Sequence, residues 1–538
     1  MAERKAHLVG SGIAALASAA YLIKEGRLLG PNIHIYESVK IAGGSMDGGG
    51  DPDIGYVMRG GRMLNFSYHC TYDLLSFVPS LTNPRQSVLS EIKEFNEKVK
   101  THANARLLYN GEIVDTESLG LSARDVKDMT EMLLRPEGSL GNSAIKDHFE
   151  EKFFATNFWY MWSTMFAFQP WHSAVEFKRY MHRFIHELKR INTLAGVDRT
   201  PYNQYDSIIR PLHEWLQTQG VTFHFDATVT DMDSKSVAGQ KRVSALIMTE
   251  KGEEKKVDIA EDDLVFITNG SMTASSTLGS MHSAARLTTE PEDPSWALWE
   301  KIAVDHPEFG RPSVFSKRVN ESKWMSFTTT LRDPLFFDLM EKFTGNAAGT
   351  GALVTLTDSN WLMSVVLAYQ PHYIDQPESV QVFWGYGLYM DRPGNFVKKK
   401  MVDCSGEEIM TELCSHLRFT THLPKILATS NCIPCVMPYI TSQFLTRAKG
   451  DRPEVVPQGW TNLAFVSQFC EIPDDVVFTV EYSVRAAQMA VFKLLDLDKE
   501  VTPMYRGDRD IRVLMEALIS IIRKDKNLPE LPEHPLQP

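Results

Sequence analysis

Residues 7–26 read HLVGSGIAALASAAYLIKEG. His7–Gly10 has the character of a short buried strand, and the Ala- and Leu-rich run 13–29 that of a helix. Between them stands Gly10-Ser11-Gly12-Ile13-Ala14-Ala15, the pattern G-x-G-x-x-A. In such a turn the first glycine allows a tight bend and the second lets backbone approach a pyrophosphate. The small third residue lets helix and strand pack closely, while the helix N-terminus offers free N–H groups to phosphate. A second strand follows at 32–36 (NIHIY) and ends at Glu37, roughly 20 residues on, where a carboxylate accepts from ribose hydroxyls. Strand, glycines, helix and acid together predict a dinucleotide-binding β-α-β unit. The bland alternative is a glycine-rich turn that only packs helix on strand.

Glycines continue beyond the acid. Gly43-Gly44-Ser45-Met46-Asp47 is followed by Arg59-Gly60-Gly61-Arg62-Met63. Backbone freedom this soon after the acid suits a long cofactor that runs past its ribose, the arrangement of flavoproteins that bind FAD in extended form; a mobile loop is the alternative. Gly349-Thr350-Gly351 also reads G-x-G, but it precedes a strand and is expected to be a turn. No good second dinucleotide site for NAD(P)H is therefore expected.

The chain has 538 residues, which points to roughly two to four folded units. A net charge of −12 disfavours nucleic acid, which needs a clustered basic surface. The six cysteines are sparse, so a reducing compartment is expected, without a disulfide framework. Met1 leads straight into the first strand, so no secretory leader is expected, and no run of ~18 apolar residues is present to span a bilayer.

Strands are predicted at 221–225, 243–249, 256–259, 264–268, 353–356, 362–369, 380–389 and 462–466. A helix is predicted at 480–495, a buried helix over 153–168 (FFATNFWYMWSTMFAF), and a mostly helical region from 87 to 190. The expected fold class is α/β: an FAD-binding Rossmann-like flavoprotein fold with a β-rich substrate domain, a helical lid and a C-terminal helical tail. The cofactor domain is expected to be discontinuous (1–85, 200–290, 456–498). The lid is placed at 86–199, the substrate domain at 291–455 and the tail at 499–538.

Several longer stretches resemble the oleate hydratase family, also called myosin-cross-reactive antigens, over nearly the whole chain. They are GSGIAALASAAYLI, RGGRML, FWYMWSTMFAFQPWHSAVEFKRYMHRF, TPYNQYDSII, TNGSM, QPH, NCIPCVMPYITSQF and EIPDDVVFTVEYSVRAAQMAVF, in that order. The resemblance implies addition of water across the cis-9 double bond of unsaturated fatty acids, oleate giving 10-hydroxystearate. It also implies FAD as a structural, non-redox cofactor, an unsaturated fatty acid and water as partners, and no nucleic acid. A cytoplasmic monomer or homodimer is expected.

The resemblance assigns proton donation to Tyr180; helical spacing of Phe177, Tyr180, Met181, Phe184 and Leu188 alone would make it a core tyrosine. Gln204 and His372 correspond to residues beside the fatty-acid carboxylate, and both side chains can donate to it. Some members carry Thr and Asn six and four positions before that histidine, where this chain has Val366 and Ala368. Many carry Glu after the second arginine of RGGR, thought to activate water; here it is Met63, which cannot act as a base. The cofactor site is expected to comprise Gly10, Gly12, Ile13, Ala14, Ala15, Glu37, Gly43, Gly44, Ser45, Gly60, Gly61, Arg62, Met63, Asn269, Gly270, Ser271, Asp475 and Phe478. Helix capping is the alternative for Asp475. Cys432-Ile433-Pro434-Cys435 has no second pair at ligand spacing and no thioredoxin-like unit around it, so no metal is expected. Ile511, Leu514, Leu518 and Ile522 share one side of the segment 511–523, with Arg512, Arg523 and Lys524 nearby. That pattern suits peripheral contact with a membrane surface or packing on the protein body. Two rivals remain: a flavin redox enzyme acting on a lipid or isoprenoid, of desaturase or oxidase type, and a lipid-binding flavoprotein without turnover.

Overall fold

The computed structural model describes residues 4–61, 63–288, 293–351 and 353–523. Arg62 and Lys524 lie outside them, as do the side chains of Ile522 and Arg523.

The fingerprint folds as expected. Strand β1 (Ala6–Val9) leads into helix α1 (Ile13–Lys24) and strand β2 (Ile33–Glu37). A five-stranded parallel sheet runs in the order Leu463–Phe465, Leu264–Ile267, β1, β2, Thr222–Phe225. The whole Leu264–Ile267 strand is buried, as a continuous apolar run inside a parallel sheet must be. Residues Ile13 to Leu22 of α1 are all buried, because the helix lies against the late helix Val480–Leu494. Small alanines let the two helices approach. One sheet thus gathers strands from both ends and the middle of the chain.

Two glycine loops explain each other. Gly10 has φ +89, and a Cβ there would lie 2.1 Å from Thr268 Oγ1. Gly44 has φ +56, and its Cβ would lie 3.1 Å from the Gly12 Cα. The Gly43 N–H donates to the Ser11 carbonyl at 3.0 Å. The second glycine pair therefore lets its loop close against the first as well as toward a cofactor.

An eight-stranded sheet forms the other half, with Trp324–Leu331 paired antiparallel to Gln381–Gly387 and Ser430–Met437 near its centre. Helices Leu335–Thr344 and Gly406–His416 cover one face in a core that includes Phe336, Phe383 and Leu413. The opposite face carries Trp324, Val366, Trp384 and Tyr386. The hairpin strand Gly55–Met58 lies on this sheet: Tyr56 N donates to Thr330 Oγ1 (2.9 Å) and Met58 N to Thr328 Oγ1 (3.1 Å). Cys432 and Cys435 belong to one strand, three positions apart. They enter different cores on opposite faces, and burial pushes both thiols up to about 12.

The stretch 86–199 is mostly helical, but Leu107–Tyr109 and Glu112–Ile113 join the edge of the large sheet through Val354–Leu356. The predicted helix 153–168 is shorter than expected. Residues Glu151–Ala155 form a 3₁₀ turn, and the helix proper is Asn157–Phe166. Thr156 starts it by accepting from Trp159 N at 3.1 Å, and Ala167 ends it at φ 63. Helix Ile511–Arg523 packs by the buried Ala517 against residues Ile185–Arg190, with Lys189 Nζ 2.6 Å from Glu516 Oε2. Among the described residues no helix is long and apolar enough to cross a membrane.

Replacing Gly10 by Ala is expected to lower unfolding free energy by about 2–4 kcal/mol, combining the φ > 0 penalty with overpacking. Gly49→Ala, where an added Cβ meets nothing within 4 Å, should stay within about 0.5 kcal/mol. Urea unfolding of both variants checks this.

Candidate active site

Two cavities meet inside the molecule. The first opens above the parallel sheet, against Gly10, Gly12, Ile13, Ala14, Glu37 and Gly43–Gly44. Helix α1 begins at Gly12 with no side-chain cap, so its first N–H groups face this space. Glu37 Oε2 accepts from the backbone N–H of Ser11 at 2.9 Å and from its hydroxyl at 2.7 Å, which fixes the carboxylate at the rim. Arg59 braces the second glycine loop, donating to Asp47 Oδ1 (2.9 Å), the Gly44 carbonyl (2.8 Å) and the Thr273 carbonyl (3.1 Å). Ser45, Gly270 and Ser271 complete the wall. A bare helix N-terminus, a ribose-ready carboxylate and a glycine-lined floor fit an extended dinucleotide cofactor.

Three expected contacts are buried behind the cavity wall. Ala15 is buried within α1. Asn269 is buried beneath its loop, its amide donating to the Phe469 carbonyl (3.2 Å) and its oxygen accepting from Ser467 (2.9 Å). Asp475 is fully buried on Arg485 Nε at 2.8 Å, with Arg183 Nε at 3.7 Å. The last two shape the cradle from behind.

The second cavity is apolar, walled by side chains such as Phe95, Met165, Phe166, Phe184 and Trp384. It collects Tyr180, Gln204 and His372, which the chain carries on three distant segments. Gly60, Gly61 and Met63, expected at the cofactor, line this cavity because the hairpin before them crosses to the large sheet. Val366 and Ala368 line it too. Phe478, Thr479 and Val480 border both cavities, and Phe478 sits at φ 70, unusual for a non-glycine residue. The Tyr180 hydroxyl donates to the Val477 carbonyl beside that junction, and Phe166, Phe168 and Phe444 meet its ring edge-on. Burial, then the nearby Arg199 charge, brings His372 down to about 4, so it is neutral at pH 7.

Two charged residues of this cavity escaped the sequence reading. Glu187 is its sole carboxylate among the described residues. Burial pushes it up, but hydrogen bonds from His186 and Arg190 prevail and hold it at about 2. Arg190 (2.7 and 2.8 Å) and Asn65 (2.8 Å) occupy its oxygens, so it serves as a fixed anion and not as a base. Arg199 is the other. It stands one residue before the TPYNQYDSII segment, and its position in the chain gives no hint of burial.

The helix carrying Tyr180, Ala174–Arg183, is tied to the junction by buried charges. Glu176 Oε1 lies 3.0 Å from Arg452 Nη1 and 3.1 Å from Arg447 Nη2. Arg447 also reaches Glu471 Oε2 at 2.8 Å, and Arg179 spans Glu471 (2.9 Å) and Glu137 (2.8 Å).

A model of the MCRA family matches residues 3–492. The chain belongs to this family. An oleate hydratase of Streptococcus pyogenes serotype M49 (strain NZ131) is 39% identical over 98% of this chain and 92% of its own. A linoleate hydratase of Lactiplantibacillus plantarum is 36% identical over 96% of this chain and 98% of its own. Among solved structures, cyclohexylamine oxidase from Brevibacterium oxydans IH-35A superposes with a TM-score of 0.53 at 10% identity, over 92% of this chain and 99% of its own. Putrescine oxidase gives 0.51 at 12% identity, over the same shares of the two chains. At such identity they establish the architecture alone, the Rossmann-like flavoprotein fold.

Burial raises the Glu176 carboxyl, but Arg452, Arg447 and Arg179 outweigh it, so its folded pKa lies below the usual value. Its contribution to stability is therefore present above about pH 4.5 and lost as pH falls through the folded value. Glu176→Ala should cost about 3–5 kcal/mol at pH 7 by stranding Arg452. The gap to the native chain should narrow below pH 4, as read by urea unfolding at both pH values.

Proposed function

We propose that this chain hydrates a cis double bond of a long-chain unsaturated fatty acid, oleate to 10-hydroxystearate, with FAD held in the glycine-lined cradle. The observation that carries this is the apolar cavity, which bears the buried phenol of Tyr180 beside its junction with the cradle, with Tyr68 and Tyr386 also on its wall, and three polar donors, Arg199, Gln204 and His372. The family membership and the two hydratase relatives support the same reaction.

Gly10, Gly12, the α1 N-terminus, Glu37 and Gly43–Ser45 would hold the dinucleotide, in a cavity that Phe478–Val480 also line. When bound, FAD supplies a planar, ordered wall and no electrons to the net reaction. The acyl chain fills the apolar cavity, stabilised by about 0.8 kcal/mol per buried CH₂. Tyr180 gives its phenolic proton to one alkene carbon. The neighbouring carbon takes the oxygen of water, and the proton that water sheds restores the phenol, so the sum is addition of H₂O. Met63 offers no base and Glu187 is saturated, so water attacks a carbon made electrophilic by protonation. The fixed Glu187 anion favours that positive charge across a medium of low dielectric.

The FAD-loaded protein is expected to convert oleate in ¹⁸O-water to a hydroxy acid carrying ¹⁸O, with no loss of flavin absorbance. Tyr180→Phe should lower kcat at least 100-fold while fatty-acid binding changes less than threefold. Unchanged oleate from the loaded native protein, or full activity in Tyr180→Phe, would refute this assignment.

Helix Ile511–Arg523 leaves Ile511 75% exposed, together with exposed Leu514, Met515 and Leu518, in a stripe beside the buried Ala517. We propose that this face rests on the lipid surface where the substrate dissolves. Ile511→Asp/Leu518→Asp should reduce sedimentation with anionic vesicles at least tenfold, with activity on detergent-dispersed substrate unchanged. Equal sedimentation of variant and native protein would remove this role.

A further inference from the structure

We propose that Arg199 anchors the substrate carboxylate at one end of the apolar cavity, replacing the threonine and asparagine of some relatives where this chain has Val366 and Ala368. This rests on the fatty-acid reading above and names the residue that holds the charged end.

Arg199 is half-buried, and its guanidinium carries two buried nitrogens without a counter-ion among the described residues. Its Nε and Nη2 are buried, with no hydrogen-bond partner among the described residues, and its guanidinium takes part in no ion pair there. An uncompensated buried charge is costly, and proteins keep one where a ligand completes it. The carboxylates around the cavity are already used: Glu187 is held by Arg190 and Asn65, and Asp206 binds Arg210 at 2.9 Å and accepts from Asn203 at 2.8 Å. The backbone of Arg199 is pinned, donating to Asn96 Oδ1 (2.9 Å) and accepting from Asn96 Nδ2 (2.7 Å), so the side chain is presented and not free to swing away with its loop. Gln204 Nε2 is a second buried donor without a partner among the described residues, on the wall of the same cavity. His372 completes the set as a neutral ring. Burial lowers the Arg199 guanidinium only to about 10, so it stays charged at neutral pH.

The ligand these donors demand carries one planar monoanion on an otherwise apolar body. A guanidinium fork matches a carboxylate by two parallel N–H···O bonds, and Gln204 can add a third. A neutral alcohol or ester of the same chain leaves the Arg199 charge uncompensated. Val366 and Ala368, on the wall of the same cavity, offer no hydrogen-bond donor from their side chains.

The test uses the FAD-loaded full chain and displacement of a fluorescent polyene fatty acid by oleate, oleyl alcohol and methyl oleate. The native protein should prefer oleate over the alcohol by about 30-fold, the worth of a charge-assisted hydrogen-bond pair. Arg199→Met should abolish that preference by weakening oleate about 30-fold and moving the alcohol less than threefold, and Arg199→Lys should restore part of it. Without ligand, the thermal midpoint of Arg199→Met should equal or exceed the native one, because a stranded charge has been removed. Native-like oleate affinity in Arg199→Met, or an equal loss for acid and alcohol, overturns the proposal. A native protein that hydrates nothing yet loses its acid preference in Arg199→Met would refute the hydration reading and leave the anchor standing.

Discussion

The buried charge lattice of Glu176, Arg447, Arg452, Glu471, Arg179 and Glu137 is what the rest of the site depends on. It locks the helix that carries Tyr180 to the segment that begins at Glu471 and ends at the cavity junction. Burial alone would neutralise Glu471, yet the surrounding Arg447, Arg452 and Arg179 hold its carboxyl at about 2. Such a lattice adds little net stability compared with an apolar core, but removing one member leaves another charge stranded. Its value here is geometric. Helix and junction loop share one position, so the phenol and the Val477 carbonyl meet where the two cavities join.

That junction gives the architecture its functional logic. One half of the chain builds a cradle from backbone, with glycines that allow close approach of two loops. The other half builds an apolar wall from the large sheet. The Gly55–Met58 hairpin crosses between them and leaves Gly60, Gly61 and Met63 on the wall of the apolar cavity. An enzyme of redox type must exchange electrons with its substrate; addition of water to an alkene needs a proton and water and no electron transfer. The cavity holds the Tyr180 phenol among apolar walls, and its sole carboxylate among the described residues, Glu187, is held by Arg190 and Asn65.

Much of this was legible in the sequence where the signal is local. The β-α-β fingerprint, the acid at Glu37 and the late strand and helix each depend on residues close in the chain. Tyr180 stands out as a candidate only through its long neighbouring motif, since its helical spacing alone reads as core; the fold places it buried on the cavity wall. Long-range effects were not legible. The strands at 107–113 lie in a helical region and exist because Val354–Leu356 pairs with them. The break at Thr156 is a capping event inside an apolar run. Asn269 and Asp475 sit in cofactor-like motifs but turn inward to Ser467 and Arg485. Arg199 and Glu187 look like ordinary surface charges, and only the fold shows that one has two buried guanidinium nitrogens without a partner among the described residues and the other is buried with several.

Solvent deuterium tests the central claim, protonation of the alkene by an exchangeable phenol, most directly. Oleate turned over by the FAD-loaded protein in D₂O should give a hydroxy acid with one carbon-bound deuterium beside the carbinol carbon, retained after back-exchange in H₂O. A hydroxy acid with no carbon-bound deuterium would contradict it, because the oxygen would then have entered without a proton adding to the neighbouring carbon.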